Sequence, residues 1–257
     1  DLIEYHIAIL NENKSCGYDG INAKVIKCCI DELSPHLSNI FNLMVRTGSY
    51  PDRLKQSTII PIHKGGDSLE CGNYRPISLL PQLDKIFEAI IYNQLSKYLE
   101  THNILDPLQY GFRQGRGCNE AIGMMLNHTS KIVETGKSAL IISLDISKAF
   151  DSVDHRILLR KLNFLGIRGL AYDVLSSFLR NRKQIVKFNQ EFSSPNSVEL
   201  GVPQGSNLGP LLFNLMINDI SALKMNSKLI KYADDIIMIL TLDKITPQLN
   251  INNLQSD

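Results

Sequence analysis

The chain has 257 residues, with 27 Lys and Arg against 26 Asp and Glu and a formal net charge of +1. Hydrophobic residues make up 44% and charged residues 21%, which is typical of a globular protein with a packed core and excludes a polycationic chain. No apolar run approaches the roughly 18 residues of a membrane span, and the five cysteines lack a Cys-x-x-Cys pair, so neither a membrane protein nor a zinc site is expected.

The N-terminal half alternates predicted helices with loops. Helix boundaries are predicted where residues have capping chemistry: Asp19 as an N-cap, Ser34-Pro35 as a helix start and Gly48 as a helix end. Apolar spacing predicts the remaining elements, a strand over 57–62 and helices over 83–95 and 122–133.

The C-terminal half mixes strands with helices. An apolar run over 139–144 ends at Asp145 and predicts a strand, and Asp234-Asp235 interrupts another apolar stretch, which predicts two short strands joined by an acidic turn. The elements predicted between them are helices over 156–164 and 170–179, strands over 184–188 and 198–200, and a helix over 208–215. These elements together predict a mixed α+β protein.

Asp145 and the Asp234-Asp235 pair are candidates for metal binding. Burying an unpaired carboxylate is costly, so packing alone gives no reason for two adjacent charges in an apolar stretch. Two strand-borne carboxylate sites can hold the paired metal ions of phosphoryl transfer. The alternative for an isolated Asp-Asp is an ordinary turn, because Asp bonds its own backbone and tolerates turn dihedrals.

Three segments in order resemble motifs A, B and C of the reverse transcriptases of non-LTR (LINE-type) retrotransposons. They are residues 144–155, which contain Asp145, residues 201–213, and Tyr232-Ala233-Asp234-Asp235. Residues 17–21, 73–80 and 109–113 resemble the fingers motifs of the jockey-type members of that family. The resemblance implies an RNA-directed DNA polymerase with the right-hand polymerase fold, in which residues 1–137 form the fingers and residues 138–257 form a C-terminally truncated palm with an antiparallel sheet.

The resemblance also implies two Mg²⁺ ions as cofactors, with Mn²⁺ as the alternative metal. In the family pattern Asp145 and Asp234 bridge the ions, and the carbonyl of Ile146 is an additional ligand. Asp235 is the third carboxylate, nearer the end of the primer. Asp145, Asp234 and Asp235 are therefore the implied catalytic residues.

The dNTP-binding residues implied by the resemblance are Lys64, Arg75, Phe150, Gln204 and Gly205. The two cations reach the triphosphate, the aromatic ring excludes a ribose 2′-hydroxyl, and the glycine-containing loop lets the backbone and an amide side chain approach the nucleotide. Taken as isolated residues, the alternatives are surface charges, a core aromatic and an ordinary strand-to-helix turn.

Positive charge is concentrated between Arg156 and Lys187, where eight basic residues accompany one acid. Such a stretch suits a phosphate backbone or, equally, a solvated helix face. The candidate nucleic-acid contacts are Arg113, Arg116, Arg180, Arg182, Lys183 and Tyr232. The expected partners are an RNA template, a DNA primer and dNTPs.

The chain reads as a segment of a longer polyprotein with an endonuclease and a thumb that are missing here, and we expect it to be intracellular and to act in the nucleus. Lys244 follows Asp235 too closely to be assigned the role of the family's leaving-group lysine. Two alternatives differ in function: a retroelement fragment that at most binds nucleic acid, and another palm-type enzyme such as an RNA-templated RNA polymerase or a nucleotidyl cyclase.

Overall fold

A computed structural model describes residues 2–223 and 226–242. The helices are α1 (Leu2–Ala8), α2 (Ala23–Cys28), α3 (Ile30–Thr47), α4 (Gln82–Thr101), α5 (Cys118–Glu134), α6 (His155–Phe164), α7 (Gly169–Leu179) and α8 (Leu208–Met216). The strands are β1 (Gln56–His63), β2 (Tyr74–Leu79), β3 (Ser138–Asp145), β4 (Arg182–Phe188), β5 (Glu191–Phe192), β6 (Asn196–Val198), β7 (Lys228–Tyr232) and β8 (Asp235–Leu242). The predicted mixed α+β class is confirmed.

Two of the three predicted helix boundaries in the N-terminal half are wrong. The N-cap of α2 is Asn22, whose side chain accepts a backbone N–H two residues later at 2.9 Å, while Asp19 accepts one within the preceding turn. Helix α3 begins at Ile30 and contains Pro35, which costs a single backbone hydrogen bond near the helix start. Gly48 does end α3, in the left-handed conformation at a φ of 63°.

Packing divides the chain into two compact units, and each unit is discontinuous in sequence. The first unit comprises Asp1–Tyr98 and Phe150–Leu212, and the second comprises Leu99–Ala149 and Phe213–Asp257. The predicted subdomains, 1–137 and 138–257, are single stretches and do not coincide with these units, so that division stays a prediction.

The first unit contains a sheet with the strand order β2-β1-β4. Strands β1 and β2 form an antiparallel hairpin, β1 and β4 are parallel, and the short strands β5 and β6 both pair with β4. Aromatic side chains fill the adjacent helical core, where the rings of Phe41 and Phe87 stack with centroids 4.8 Å apart and Tyr50 meets Phe178 edge to face at 5.2 Å.

A buried polar cluster lies next to this aromatic core. Asp84 and Glu88 on α4 are both fully buried; Asp84 accepts a hydrogen bond from the Tyr50 hydroxyl, and Glu88 accepts one from the Leu208 backbone N–H at 3.0 Å. Burial, followed by the charge of Glu88, raises the pKa of Asp84 well above its usual value. Burial also raises the pKa of Glu88, against the opposing effect of its backbone hydrogen bond.

The second unit contains a three-stranded antiparallel sheet with the order β3-β8-β7. Successive residues of β8 face opposite sides of this sheet, and both sides are covered. Ile230 and Ile239 pack with Ala121 and Ile132 of α5 on one side. The cluster on the other side consists of Leu229, Ile236, Met238 and Leu240. Burial on both sides explains why the sequence of the central strand, β8, is a nearly continuous apolar run.

Candidate active site

The acidic residues predicted to bind metal meet at one end of the three-stranded sheet. Asp145 is the last residue of β3 and lies directly opposite Asp235, the first residue of β8. Tyr232 of β7 also pairs with Asp235, so Ala233 and Asp234 form a two-residue turn. The predicted acidic hairpin is confirmed, and the strand register places Asp145 opposite Asp235, with Asp234 in the turn beside them.

The residues at this end of the sheet carry the oxygen donors that a hard divalent cation prefers. Asp145 and Asp235 are exposed and Asp234 is half-buried. Directly opposite residues of antiparallel strands have Cβ atoms roughly 4.5–5.5 Å apart, and like charges at that distance repel unless a cation lies between them. Within residues 2–223 and 226–242, no group of three or more His, Cys, Asp or Glu side chains is placed so that it could hold a metal ion by itself. Mg²⁺ needs no such cage, because it commonly takes one or two carboxylates and completes its shell with water and phosphate oxygens.

Ile146, the predicted backbone ligand, follows β3 directly. Its side chain packs against the cluster on the sheet face opposite α5. Its carbonyl accepts the Ala149 backbone N–H at 3.2 Å. A carbonyl oxygen has two lone pairs, so this hydrogen bond leaves one lone pair that could coordinate a metal ion.

Two buried polar residues behind the acidic turn were missed by the sequence analysis. Gln109 is 2% exposed and hydrogen-bonds the backbone of Ala233, and Lys231 is fully buried and forms an ion pair with Asp106 at 2.5 Å. A lysine within a predicted strand was the sequence signal for a buried ion pair. It could not identify the partner, which lies far away in sequence.

The loop 201–206 of the first unit holds Phe150 and Gln204 near each other. Val202 donates its backbone N–H to the Phe150 carbonyl at 2.8 Å, and Gln204 donates from Nε2 to the Asp151 carboxylate at 2.8 Å. Gly201 has a φ of 86°, and a Cβ there would lie 2.8 Å from the Asp151 Cα. Glycine is required because both the backbone conformation and the close approach exclude a side chain.

Two flanking residues support the same loop of the first unit. His155 is buried and lies with Nε2 2.7 Å from the Gly201 carbonyl oxygen. Asp154 caps α6 by accepting the backbone N–H groups of Arg156 and Ile157. Hydrogen bonds, with that from the Arg156 side chain first, lower the pKa of Asp154.

Lys64 and Arg75 lie near the tip of the β1–β2 hairpin, and both are exposed. Arg75 pairs with Ile62, and the Lys64 N–H continues the ladder by donating to the Asn73 carbonyl at 2.8 Å. Side chains two positions apart in an extended strand share a face, so Lys64, like Ile62, is on the face of Arg75.

The predicted basic contacts of the first unit divide into exposed and buried residues. Arg180 and Lys183 are exposed, and Arg180 lines an open cavity of about 480 Å³ together with Arg156, Arg160 and Tyr172. Arg182 is 2% exposed, donates to the Phe178 carbonyl at 3.1 Å and lies over the Phe178 ring. Its burial removes Arg182 from the predicted nucleic-acid contacts, because its guanidinium is part of the core.

The predicted contacts of the second unit are also of two kinds. The Arg113 side chain is 5% exposed and forms a bidentate ion pair with Glu100, at 2.6 and 2.9 Å, so it stabilises its own loop. Arg116 lies over the Tyr110 ring and donates to the Pro107 carbonyl. Tyr232 is 41% exposed beside the acidic turn. Of these three side chains, Tyr232 therefore offers an exposed aromatic ring to a ligand.

Comparison with known proteins gives consistent matches. Residues 62–252 match the family model described as reverse transcriptase (RNA-dependent DNA polymerase). The chain is 36% identical to an RNA-directed DNA polymerase from the mobile element jockey of Drosophila melanogaster, over 83% of this chain and 23% of the relative. It is 33% identical to a probable RNA-directed DNA polymerase from transposon BS of the same species, over 88% of this chain and 26% of the relative. The chain thus spans about a quarter of the length of these relatives.

Proposed function

The chain belongs to the reverse transcriptase (RNA-dependent DNA polymerase) family, and we propose that it is the part of a non-LTR retrotransposon polymerase that adds dNTPs to a primer on an RNA template. The observation that carries the proposal is the acidic end of the three-stranded sheet, where Asp145 lies opposite Asp235 and beside Asp234. These three carboxylates fall inside the matched residues 62–252.

Asp145, Asp234 and Asp235 would hold two Mg²⁺ ions, or Mn²⁺ in their place, with the Ile146 carbonyl as an additional ligand. Such ions, when bound, activate the primer 3′-hydroxyl and neutralise the pyrophosphate leaving group. The carboxylates supply oxygen ligands and negative charge, and their position on two adjacent strands fixes their spacing.

The nucleotide contacts are proposed for the first unit. Lys64 and Arg75, on one face of the β1–β2 hairpin, suit a triphosphate, because an ammonium and a guanidinium both bind phosphate oxygens. Phe150 is proposed to exclude a 2′-hydroxyl, and the Gln204–Gly205 backbone to approach the sugar or base. The bonds from Val202 to Phe150 and from Gln204 to Asp151 support a preorganised loop.

Nucleic-acid backbone contacts are proposed for Arg180 and Lys183, with Arg156 and Arg160 added because they line the same cavity as Arg180. Arg116 and Tyr232 remain candidates for contacts with template and primer.

This binding proposal predicts a change in salt dependence. Arg180→Ala should weaken the binding of single-stranded RNA and reduce the slope of log K against log salt by about 0.7 for each lost phosphate contact, measured by fluorescence anisotropy. Arg46→Ala, which removes an exposed arginine of α3, is the matched control. An unchanged slope for Arg180→Ala would remove the cavity from the binding surface.

The arrangement of the whole protein is also proposed. In a right-hand polymerase the fingers would cover residues 1–137 and the palm residues 138–257, with the thumb and endonuclease in the remainder of a longer polyprotein. Nuclear action is proposed from the resemblance to mobile elements. Among the described residues, none of the helices has the length and apolar character needed to cross a lipid bilayer.

Primer extension tests the proposed reaction. The chain is mixed with poly(rA)/oligo(dT), dTTP and Mg²⁺, and an Asp234→Asn/Asp235→Asn variant is the control. We expect extension by the wild-type chain and none by the variant. Duplex binding without extension would instead support the alternative, a nucleic-acid-binding retroelement fragment.

A further inference from the structure

A short segment of the second unit lies along the outer edge of β7 and ends behind the acidic turn. We call residues 106–111 the bracing segment. Lys231 of β7 donates its N–H to the Leu108 carbonyl, and Tyr110 donates its N–H to the Lys231 carbonyl, both at 2.8 Å. These bonds cover the edge of the sheet and hold the bracing segment in register with the hairpin.

The side chain of Gln109 binds both backbone groups of the first turn residue. Its Oε1 accepts the Ala233 N–H at 3.0 Å and the Gly111 N–H at 2.8 Å, while its Nε2 donates to the Ala233 carbonyl at 3.4 Å. Gln109 is 2% exposed, so these bonds are shielded from water. One amide thus joins the turn to the bracing segment.

The turn needs such support because of its backbone conformation. Ala233 has a φ of 56°, which is in the left-handed region that residues other than glycine, Asn and Asp rarely adopt. A two-residue hairpin turn with a positive φ at its first position matches the twist of the strands. The conformation is therefore useful to the hairpin but unfavourable for Ala233 itself, and the Gln109 hydrogen bonds oppose its relaxation.

Gly111 and a buried ion pair fix the bracing segment against the hairpin. A Cβ on Gly111 would lie 2.2 Å from the Ala233 nitrogen, so only glycine allows this approach. Lys231 is fully buried, and its Nζ lies 2.5 Å from Asp106 Oδ2. Burial raises the pKa of Asp106, but its hydrogen bonds, with that from Lys231 first, and the charge of Lys231 outweigh burial and hold the pKa below its usual value.

We propose that Gln109 is a positioning residue that holds the Ala233–Asp234 turn in its left-handed conformation and so keeps the turn carboxylates aligned with Asp145. It acts through the backbone of Ala233 and touches no reacting atom. The inference rests on the proposed function, because alignment of the carboxylates matters only if they bind metal. The contacts from which it is argued all lie within the second unit.

Two substitutions separate positioning from packing. Gln109→Met keeps the length and volume of the side chain but removes all three hydrogen bonds. Gln114→Ala removes an exposed glutamine further along the same loop and is the matched control. We expect Gln109→Met to raise the dissociation constant for Mn²⁺, measured by electron paramagnetic resonance without nucleotide, by about tenfold, as expected for loss of a group that orients metal ligands.

Steady-state kinetics distinguish a residue that positions the carboxylates from one that only stabilises the fold. If Gln109 positions the carboxylates, Gln109→Met should lower kcat by about tenfold and shift the metal dependence to higher concentration. The KM for dTTP should stay within about twofold, because its proposed contacts lie in the first unit and not in the turn. A loss that only reflects a smaller folded fraction would lower kcat without changing the metal dependence.

Hydrogen exchange of the wild-type chain tests the inference without any substitution. The Ala233 and Gly111 amides should exchange slowly, because both donate to the buried Gln109 side chain. Exchange of both at the rate of an open chain would overturn the inference whether or not the variants fold. Equal Mn²⁺ affinity in wild type and Gln109→Met would also overturn it, whereas absent primer extension with the Mn²⁺ and exchange results intact would contradict only the proposed polymerase function.

Discussion

At the scale of single residues, the acidic end of the sheet brings like charges together, which lowers the stability of the fold. Asp145 and Asp235 are directly opposite in an antiparallel pair, where like charges are unfavourable. The two side chains are exposed, so water reduces the repulsion without removing it. Removing one charge should therefore raise the stability of the fold and abolish the proposed catalysis.

Asp145→Asn is predicted to raise the free energy of unfolding by about 0.2–1 kcal/mol while abolishing primer extension. The stability gain arises because Asn keeps the shape of Asp without its charge. Thermal unfolding without divalent metal, compared with the wild-type chain, measures the first effect. A lower melting temperature for the variant would show that the carboxylate has a structural partner.

Phe150→Val is predicted to increase ribonucleotide incorporation relative to deoxyribonucleotide incorporation by about tenfold, equivalent to ~1.4 kcal/mol. The smaller side chain would leave room for a 2′-hydroxyl, while the backbone bond from Val202 to the Phe150 carbonyl is retained. Single-nucleotide extension with dTTP and UTP measures the ratio. Unchanged sugar selection would make Phe150 a packing residue only.

At the scale of elements, the β7–β8 hairpin depends on contacts from outside its own sequence. Gln109 and Gly111 contact the turn, and the buried Asp106–Lys231 ion pair joins the bracing segment to β7. A buried ion pair stabilises little relative to apolar residues, but breaking it leaves a buried charge without a partner. The losses in free energy of unfolding should therefore not be additive when both partners of the ion pair are replaced.

Asp106→Asn is predicted to lower the free energy of unfolding by about 3–5 kcal/mol, because it leaves Lys231 charged and buried. The double variant Asp106→Asn/Lys231→Met should lose clearly less than the sum of the two single variants. Urea unfolding of the wild-type chain, both single variants and the double variant gives the comparison. Additive losses would mean that the two side chains do not interact.

At the scale of the whole molecule, the chain passes between the two units three times, after Tyr98, Ala149 and Leu212. Asp145 and Phe150 are five positions apart in sequence yet belong to different units. Each unit has its own sheet and its own buried ionisable groups, so the pH dependence of stability should reflect both units. The Asp84–Glu88 cluster of the first unit can be tested, because burial raises the pKa of both carboxyls.

The wild-type chain is predicted to lose stability as pH rises from about 4 toward neutral, relative to Asp84→Asn/Glu88→Gln. Both carboxyls have a raised pKa in the folded state, so their contribution is complete below their unfolded values and declines as pH rises through the folded values. Urea unfolding at several pH values measures this, with exposed Glu191→Gln as the control. Parallel pH profiles for wild type and the double variant would contradict the prediction.

Some features of the fold and the site could be predicted from sequence alone, and others could not. The acidic hairpin at Asp234 and the end of α3 at Gly48 were predicted from local patterns, since turn chemistry and capping depend on neighbours in sequence. Arg182 was predicted to contact nucleic acid, but it is buried against Phe178, because charge patterning does not show which face of a strand is covered. Lys244 lies outside the described residues.

The sequence by itself determined the family, the motif order and the identity of the candidate metal ligands, because these depend on residue type and spacing. Only the tertiary structure decided that Asp145 lies opposite Asp235 and that Gln109 holds the turn at Ala233. The physical reason is that strand register and buried hydrogen bonds join residues about 90 or more positions apart, such as Gln109 and Ala233, and chain order carries no record of such pairings.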